Sequence, residues 1–393
     1  MGRLDKEMVG LTRSLTRRQF LKHCCTAAAA LAVSPALIDI LFSKNNRYAF
    51  AAMPDSRGMR EAMFYKQIDE KYVQCELCPR KCTLTDGQRS FCRVRQPKDG
   101  KLYTLVYGLP CAVHIDPIEK KPLFHVLPAS KSFSIATAGC NLRCKFCQNW
   151  QISQSAPEDT DNVFLPPSEV INAAIKSGSK SIAYTYTEPT VFYEYMIDTA
   201  KLAKQQGIIN LYHTGGSINQ RPVLELTNYL DAANVDLKGF NKDYLSEMCQ
   251  EDLEVVLATL KTLKQNGVWV EITNLIVPNY NDNMDEIFQM AKWIKANLGP
   301  ETPIHFSRFW PQHKLSNHFP TPVDTLQKAR SQALGAGLYF CYVGNCPGDK
   351  GENTYCPSCK NMIVGRIGYS IKALHIKDSR CKFCNTEIAG IWS

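Results

Sequence analysis

The 393-residue chain has no internal repeat of solenoid period and no low-complexity tract, so it is neither a repeat array nor a linker-dominated chain. Charged residues reach only 21% against 45% hydrophobic, which is ordinary globular usage. An intrinsically disordered chain and a polytopic membrane protein are both excluded. A concentrated basic face is missing too. The net charge is +9, yet residues 1–52 hold 8 Lys/Arg against 3 Asp/Glu, and the other 341 residues hold 38 against 34. Nucleic-acid interfaces need clustered positive charge, so no nucleic-acid partner is expected. Cysteine, by contrast, is abundant at 17 residues. Most of these fall into three clusters with metal-ligand spacing, which points to metal ligation rather than to a secreted disulfide scaffold.

The surplus charge belongs to the N-terminal tail. Thr16-Arg17-Arg18-Gln19-Phe20-Leu21-Lys22 precedes a mostly apolar stretch from Thr26 to Phe42. Paired arginines before an apolar run resemble a twin-arginine export signal, with Ala49-Phe50-Ala51 as the small-x-small cleavage site. Pro35 and Asp39 interrupt the run, so no stable membrane span is expected. Export to the periplasm or cell surface is the expectation, with a basic amphipathic helix on a cytoplasmic protein as the alternative.

From Lys131 onward short β-branched and aromatic runs alternate with helical segments. Strands are predicted at Ser132–Ala136, Ser181–Tyr186, Ile208–His213, Asn234–Leu237, Val268–Ile276, Ile304–Phe309 and Leu338–Val343. Helices are predicted from Pro167 to Gly178, with Ser168 as N-cap, and over Val191–Gln206, Arg221–Leu230, Leu253–Asn266, Asp285–Leu298 and Val323–Leu334. Such alternation implies parallel strands joined by right-handed crossovers, in a complete or partial barrel. Chemistry in such barrels sits in the loops after the strand C-termini.

The loop after the first of these strands reads Cys140-Asn141-Leu142-Arg143-Cys144-Lys145-Phe146-Cys147. Three thiolates ligate three irons of a cubane and leave the fourth open, as reactive metal sites do. A zinc site with a distant fourth ligand is the bland alternative. The C-x3-C-x2-C spacing resembles the signature of the radical S-adenosylmethionine (SAM) superfamily. Over roughly four-fifths of the chain, from about Tyr72, an ordered set of motifs resembles the radical SAM enzyme of the AmmeMemoRadiSam system, a relative of pyruvate formate-lyase activating enzyme. These motifs are Cys75-Glu76-Leu77-Cys78-Pro79-Arg80-Lys81-Cys82, Asp116-Pro117-Ile118-Glu119-Lys120-Lys121-Pro122-Leu123, Cys144-Lys145-Phe146-Cys147-Gln148-Asn149-Trp150, Tyr186-Thr187-Glu188-Pro189, Val235-Asp236-Leu237-Lys238-Gly239 and Gly351-Glu352-Asn353-Thr354-Tyr355-Cys356.

The resemblance implies an α/β fold with a partial (β/α)6-type radical SAM barrel. It implies a [4Fe–4S] cluster on Cys140, Cys144 and Cys147 that cleaves SAM reductively, with a flavodoxin- or ferredoxin-like electron donor. It also implies SAM contacts from Glu188, Thr214, Gly215, Asp236, Lys238 and His313. Two departures stand out: Tyr186 and Thr187 replace the two glycines usual before the Glu, and Gly215 replaces Asn. Asp236 and Lys238 alternate to the same side of their strand, where an ion pair with each other competes with a SAM contact. His213 takes the place of an Asp that binds a monovalent cation in some activating enzymes, and a structural role is expected for it.

Two further sets flank the barrel. Cys75, Cys78, Cys82 and Cys92 form a closed set for zinc or an accessory Fe–S cluster, with disulfides as the alternative. Cys356, Cys359, Cys381 and Cys384 form paired knuckles of a ribbon-like tetrathiolate site for zinc or a rubredoxin-like iron. Cys111, Cys249, Cys341 and Cys346 read as buried thiols. The expected organisation is a signal at 1–51, a Cys-rich module at 52–130, the barrel at 131–345 and a C-terminal zinc-ribbon or rubredoxin-like module at 346–393. The expected function is a radical SAM enzyme, with a protein among its possible substrates. The alternatives are a glycyl-radical-enzyme activase and a non-catalytic Fe–S electron-transfer protein.

Overall fold

Eight strands, neighbours in chain order throughout, form one open sheet. They are β1 (Ala112–Pro117), β2 (Lys131–Ala136), β3 (Ser181–Tyr184), β4 (Ile209–Thr214), β5 (Ala232–Asp236), β6 (Trp269–Ile276), β7 (Ile304–Arg308) and β8 (Cys341–Gly344). The computed structural model describes residues 58–393, so the export signal read over the first 51 residues lies outside the described residues. Strands β2 to β8 run parallel, and β1 pairs antiparallel with β2. The seven predicted strands are all present. β1 was not read from the sequence, because His114, Asp116 and Pro117 break its apolar pattern; an edge strand tolerates them. No helix among the described residues is long and apolar enough to cross a membrane.

The crossover helices are α1 (Pro167–Lys176), α2 (Tyr193–Gln205), α3 (Gln220–Thr227), α4 (Lys242–Cys249), α5 (Leu253–Gln265), α6 (Met284–Leu298) and α7 (Val323–Gly335). Side chains at Asn241, Asp252 and Asn283 accept first-turn N–H groups of α4, α5 and α6. Ser168 is not the N-cap of α1. Pro166 takes that position and Pro167 opens the helix, since a proline ring presets φ where no N–H is needed. α4 is too short to show a clear period and was not predicted.

Alternation along the strands sorts the barrel into two layers. Ile182, Tyr184, Tyr212, Ala233, Val235, Val270, Ile272, Ile304 and Phe306 join the large apolar core. The other face points inward. There Ala183, Leu211 and Ala232 leave room for Ile118, Leu123 and Val126, so the segment after β1 plugs the barrel. Above the plug, Glu271 accepts the backbone N–H groups of Phe124 and His125 at 3.0 and 2.8 Å and the His305 ring at 2.7 Å. His125 reaches the Tyr342 hydroxyl at 2.6 Å and the Ala389 carbonyl at 2.7 Å. The C-terminal ribbon grips the plug: Arg366 Nη2 donates to the Phe124 carbonyl at 2.8 Å, and Leu127 N donates to the Ile391 carbonyl at 2.7 Å.

This junction has a pH signature. Burial pulls His125 down to about 4 from 6.5, although Glu271 opposes the shift. Below pH 6.5 the unfolded chain takes a proton that the folded one refuses, so stability is full above 6.5 and falls as pH drops towards 4. The loss for this group is about 3 kcal/mol. Glu271, held below its usual 4.5 by His305 and His125 despite its burial, adds to the acid loss only at lower pH. Chemical denaturation between pH 7 and 4.5 should show this slope in the wild type and a flatter one in His125→Gln; equal slopes would remove His125 from the account.

Candidate active site

The loop after β2 carries the three cysteines because its start is pinned from below. Gly139 adopts φ +92°, and a Cβ there would lie 2.5 Å from the Cys92 carbonyl oxygen and 2.6 Å from Val94 Cγ1. Only glycine fits that approach. The far side of the loop is sewn to the end of α4, where Arg143 N and Lys145 N donate to the Cys249 and Met248 carbonyls at 2.9 and 2.8 Å. Leu142 N donates to Cys140 Sγ at 3.3 Å, and Cys147 Sγ lies 3.2 Å from Ser153 Oγ. Cys140, Cys144 and Cys147 all line one cavity of about 580 Å³. Burial, with Glu188 nearby, pushes the Cys140 thiol well up. A hydrogen bond with Cys249, together with burial, does the same for Cys144. Such thiols ionise readily only beside added positive charge, and a cationic metal supplies it.

The loops after β3, β4 and β5 complete the wall. Glu188, Thr214, Gly215, Asp236 and Lys238 all line the same cavity as the three cysteines. Glu188 is 3% exposed. Its Oε1 accepts from Thr190 N at 3.1 Å, Thr190 Oγ1 at 2.7 Å and Thr214 Oγ1 at 2.6 Å, while Oε2 accepts Gly215 N at 2.8 Å. Oε2 therefore keeps one acceptor site. Tyr186 sits at φ +64°, so the backbone takes a glycine-like turn although the glycines are absent. What holds it there is side-chain contact. Its hydroxyl donates to Asp116, Lys121 Nζ lies 4.3 Å over its ring, and Asn149 Nδ2 donates to its carbonyl at 2.8 Å.

Lys238 is the least satisfied group of the site. Its ammonium is buried without a hydrogen-bond partner, and both Glu251 carboxylate oxygens are in the same state. The nearest carboxylates stand off at 3.7 Å (Asp236 Oδ2) and 3.6 Å (Glu251 Oε2), longer than a charge-assisted hydrogen bond. Burial pushes Glu251 up to about 7 against the pull of Lys238. Burial also works against the Lys238 ammonium, but Glu251 and Asp236 keep it protonated. Burial likewise disfavours the Asp236 carboxylate, but Lys238 and His213 hold it below the ordinary range. Gly215 has a local reason to lack the expected Asn side chain, since a Cβ would meet Lys238 Nζ at 2.7 Å and Leu142 Cδ1 at 2.8 Å.

His213 bridges Thr185 Oγ1 at 3.3 Å and Asp236 Oδ1 at 3.2 Å, and its ring faces the cavity. His313 does not line the cavity. It stacks on Trp150 with centroids 5.4 Å apart and planes 20° apart. Four cavity residues, His114, His305, Ser307 and Tyr369, escaped the sequence reading, and Lys121 and Glu352 entered it only as positions within motifs, without a site role. Strand alternation could have flagged His305 and Ser307. The ribbon residues could not have been found that way, because they reach the cavity only through tertiary packing. Lys121 is 1% exposed, 2.5 Å from Asp116 Oδ2, and burial lowers it to about 8.

The flanking cysteines behave differently from one another. Cys356 Sγ and Cys384 Sγ are 3.5 Å apart, Cys359 Sγ and Cys381 Sγ 3.8 Å, and all four lie within 4.8 Å. A single tetrahedral metal needs that spacing. Cys249, Cys341 and Cys346 are buried as expected, whereas Cys111 is only partly so.

Comparison with known proteins adds the following. The description Radical SAM superfamily matches residues 134–294. An uncharacterized protein of Methanocaldococcus jannaschii is 46% identical over 332 residues, covering 84% of this chain and 99% of that protein. A pyruvate formate-lyase-activating enzyme of Clostridium pasteurianum is 26% identical over 160 residues, covering 40% of this chain and 66% of that protein. Among solved structures, a radical SAM methyltransferase from Sphaerobacter thermophilus is 11% identical with a TM-score of 0.45, covering 73% and 76% of the two chains.

Proposed function

The chain belongs to the Radical SAM superfamily, and from that premise we propose that the 580 Å³ cavity holds SAM between the Cys140–Cys147 loop and the β3–β5 loops. It is an enzyme, and the chemistry supplied when cluster and SAM are bound is reductive cleavage to methionine and a 5′-deoxyadenosyl radical. The observation that carries the proposal is the Lys238 ammonium, buried at the wall of the cysteine-lined space with carboxylates at 3.6 and 3.7 Å but no hydrogen bond. A carboxylate placed there supplies the hydrogen bond this ammonium lacks, and the SAM carboxylate is such a group. Oε2 of Glu188 offers its spare acceptor site to the SAM ammonium, while its other bonds hold the Thr214–Gly215 turn in position. Asp236, oriented by His213, is left for the ribose hydroxyls. Cys140, Cys144 and Cys147 hold the cluster.

The order of the motifs from Cys75 to Cys356 supports the finer reading as the AmmeMemoRadiSam system enzyme. A flavodoxin- or ferredoxin-like protein serves as electron donor in this reading. The substrate enters against Lys121, His305 and Tyr369, which line the cavity alongside the SAM-facing loops.

Lys238→Met tests the assignment. Loss of a charge-assisted hydrogen bond of about 1.5–3 kcal/mol should weaken SAM binding roughly 10- to 100-fold by calorimetry on the reconstituted protein. The same change strands Glu251 and should cost about 3–5 kcal/mol of stability. Adding Glu251→Gln should restore most of the stability and none of the affinity. Affinity within twofold of wild type in the double variant would sink the proposal.

A further inference from the structure

The Cys75, Cys78, Cys82 and Cys92 set has one geometric feature that ligand chemistry does not decide. Among the described residues, only the C-terminal tetrad draws the ligand atoms of three or more such side chains within 4.8 Å. Four sulfurs on one tetrahedral zinc at about 2.3 Å must crowd in that way. In a cubane each thiolate binds its own iron, so the sulfurs stand farther apart. The Cys75 set, like the Cys140 loop, is not drawn together in that way, whereas the ribbon is.

The surroundings identify the charge of the occupant. The four cysteines enclose a small cavity whose wall includes Arg95 and Asn141. Arg95 is 1% exposed. Its Nη2 pairs with Glu194 at 2.6 Å, but Nε and Nη1 have no partner. A guanidinium whose Nε and Nη1 carry three buried, unspent N–H donors beside four thiols calls for an anionic acceptor. Backbone N–H groups of Leu77, Arg80 and Phe91 also face the sulfurs of Cys75, Cys78 and Cys82, and Ser90 Oγ lies 3.1 Å from Cys92 Sγ. All fifteen described cysteines are free, which leaves these four thiols available as ligands.

We propose that Cys75, Cys78, Cys82 and Cys92 hold a second iron–sulfur cubane, with Arg95 donating buried hydrogen bonds to it. The site shares a wall with the catalytic loop. Gly139 rests on the Cys92 carbonyl, and Arg80 Nε donates to the Asn141 carbonyl at 3.0 Å, one residue from Cys140. This placement does not depend on where SAM binds.

The full chain carrying Cys140→Ala, Cys144→Ala and Cys147→Ala is reconstituted anaerobically with iron and sulfide. It should keep about four irons and about four sulfides per chain and show a cluster signal on reduction. Adding Cys75→Ser and Cys78→Ser should remove them. A triple variant that holds zinc at this site, or that loses all its iron and sulfide while remaining folded, overturns the proposal. Arg95→Lys gives an independent reading, since it keeps the charge facing Glu194 and removes donors. The remaining cluster should keep its iron and move to a more negative midpoint potential. An unchanged potential removes Arg95 from the site, and a wild-type chain that binds only four irons removes the second cubane.

Discussion

Replacing Cys140, Cys144 and Cys147 together by alanine should reduce production of 5′-deoxyadenosine to background in the chemically reduced, reconstituted protein. The size of the effect follows from the arrangement of the loop. All three side chains face the 580 Å³ cavity, and without them no other group of the cavity wall supplies three thiolates. The fold should survive. The loop keeps its backbone contacts at Gly139, Arg143 and Lys145 when the thiols are removed. Far-UV circular dichroism of the triple variant should therefore match the wild type. Cys249 provides the contrast. It touches Cys144 through a thiol hydrogen bond, but it is buried behind the loop at the end of α4. Cys249→Ala should load its catalytic cluster normally and still cleave SAM. A triple variant that makes 5′-deoxyadenosine at the wild-type rate would refute the ligand assignment, and loss of the cluster in Cys249→Ala would redraw it.

Cys381→Ser should strip the ribbon of its metal and unfold it locally. The ribbon strands Thr354–Tyr355, Met362–Ile367 and Ser370–Leu374 are short, and their apolar core is small: besides cysteines and barrel residues it holds Ile363, Val364, Ile376 and Ile388, with partly buried Ile371 and Trp392 against it. A tetrathiolate metal contributes about 10–16 kcal/mol of apparent binding free energy at neutral pH, far more than such a core. Hydrogen bonds from Thr386 pull Cys384 down to about 6, which prepares a thiolate at the exposed corner of the site. The variant should lose one metal per chain and become open to proteolysis beyond Lys350. The barrel cluster should remain, because its loop is anchored to α4 and to the N-terminal module. Catalysis should nevertheless fall, since Glu352, Gly368 and Tyr369 form part of the cavity wall. Full metal content together with protease resistance would show that the ribbon does not depend on the site.

Much of this protein can be read along its chain. Short β-branched and aromatic runs located seven strands, and C-x3-C-x2-C located the three-cysteine loop, because both are patterns within a few residues. The paired knuckles of the ribbon are equally local. The placing of Glu188, Asp236 and Lys238 on one wall also came from position, since each stands at or just after the C-terminal end of a parallel strand.

Other features depend on groups that are distant in sequence. Strand β1 broke its apolar pattern with His114 and Asp116, and only pairing with β2 made it a strand. Tyr186 takes a positive φ without glycine because Asp116, Lys121 and Asn149 hold it there. The sequence by itself determined the fold class and located the three-cysteine loop and the four clustered cysteines of the ribbon, because residue pattern and cysteine spacing are local properties. Only the tertiary structure decided that Lys238 is a buried ammonium without a hydrogen bond, that the ribbon walls the cavity and that Arg95 brings unspent donors to the wall of the Cys75 pocket. Burial and unsatisfied hydrogen bonding belong to the packed chain, and no stretch of sequence contains them.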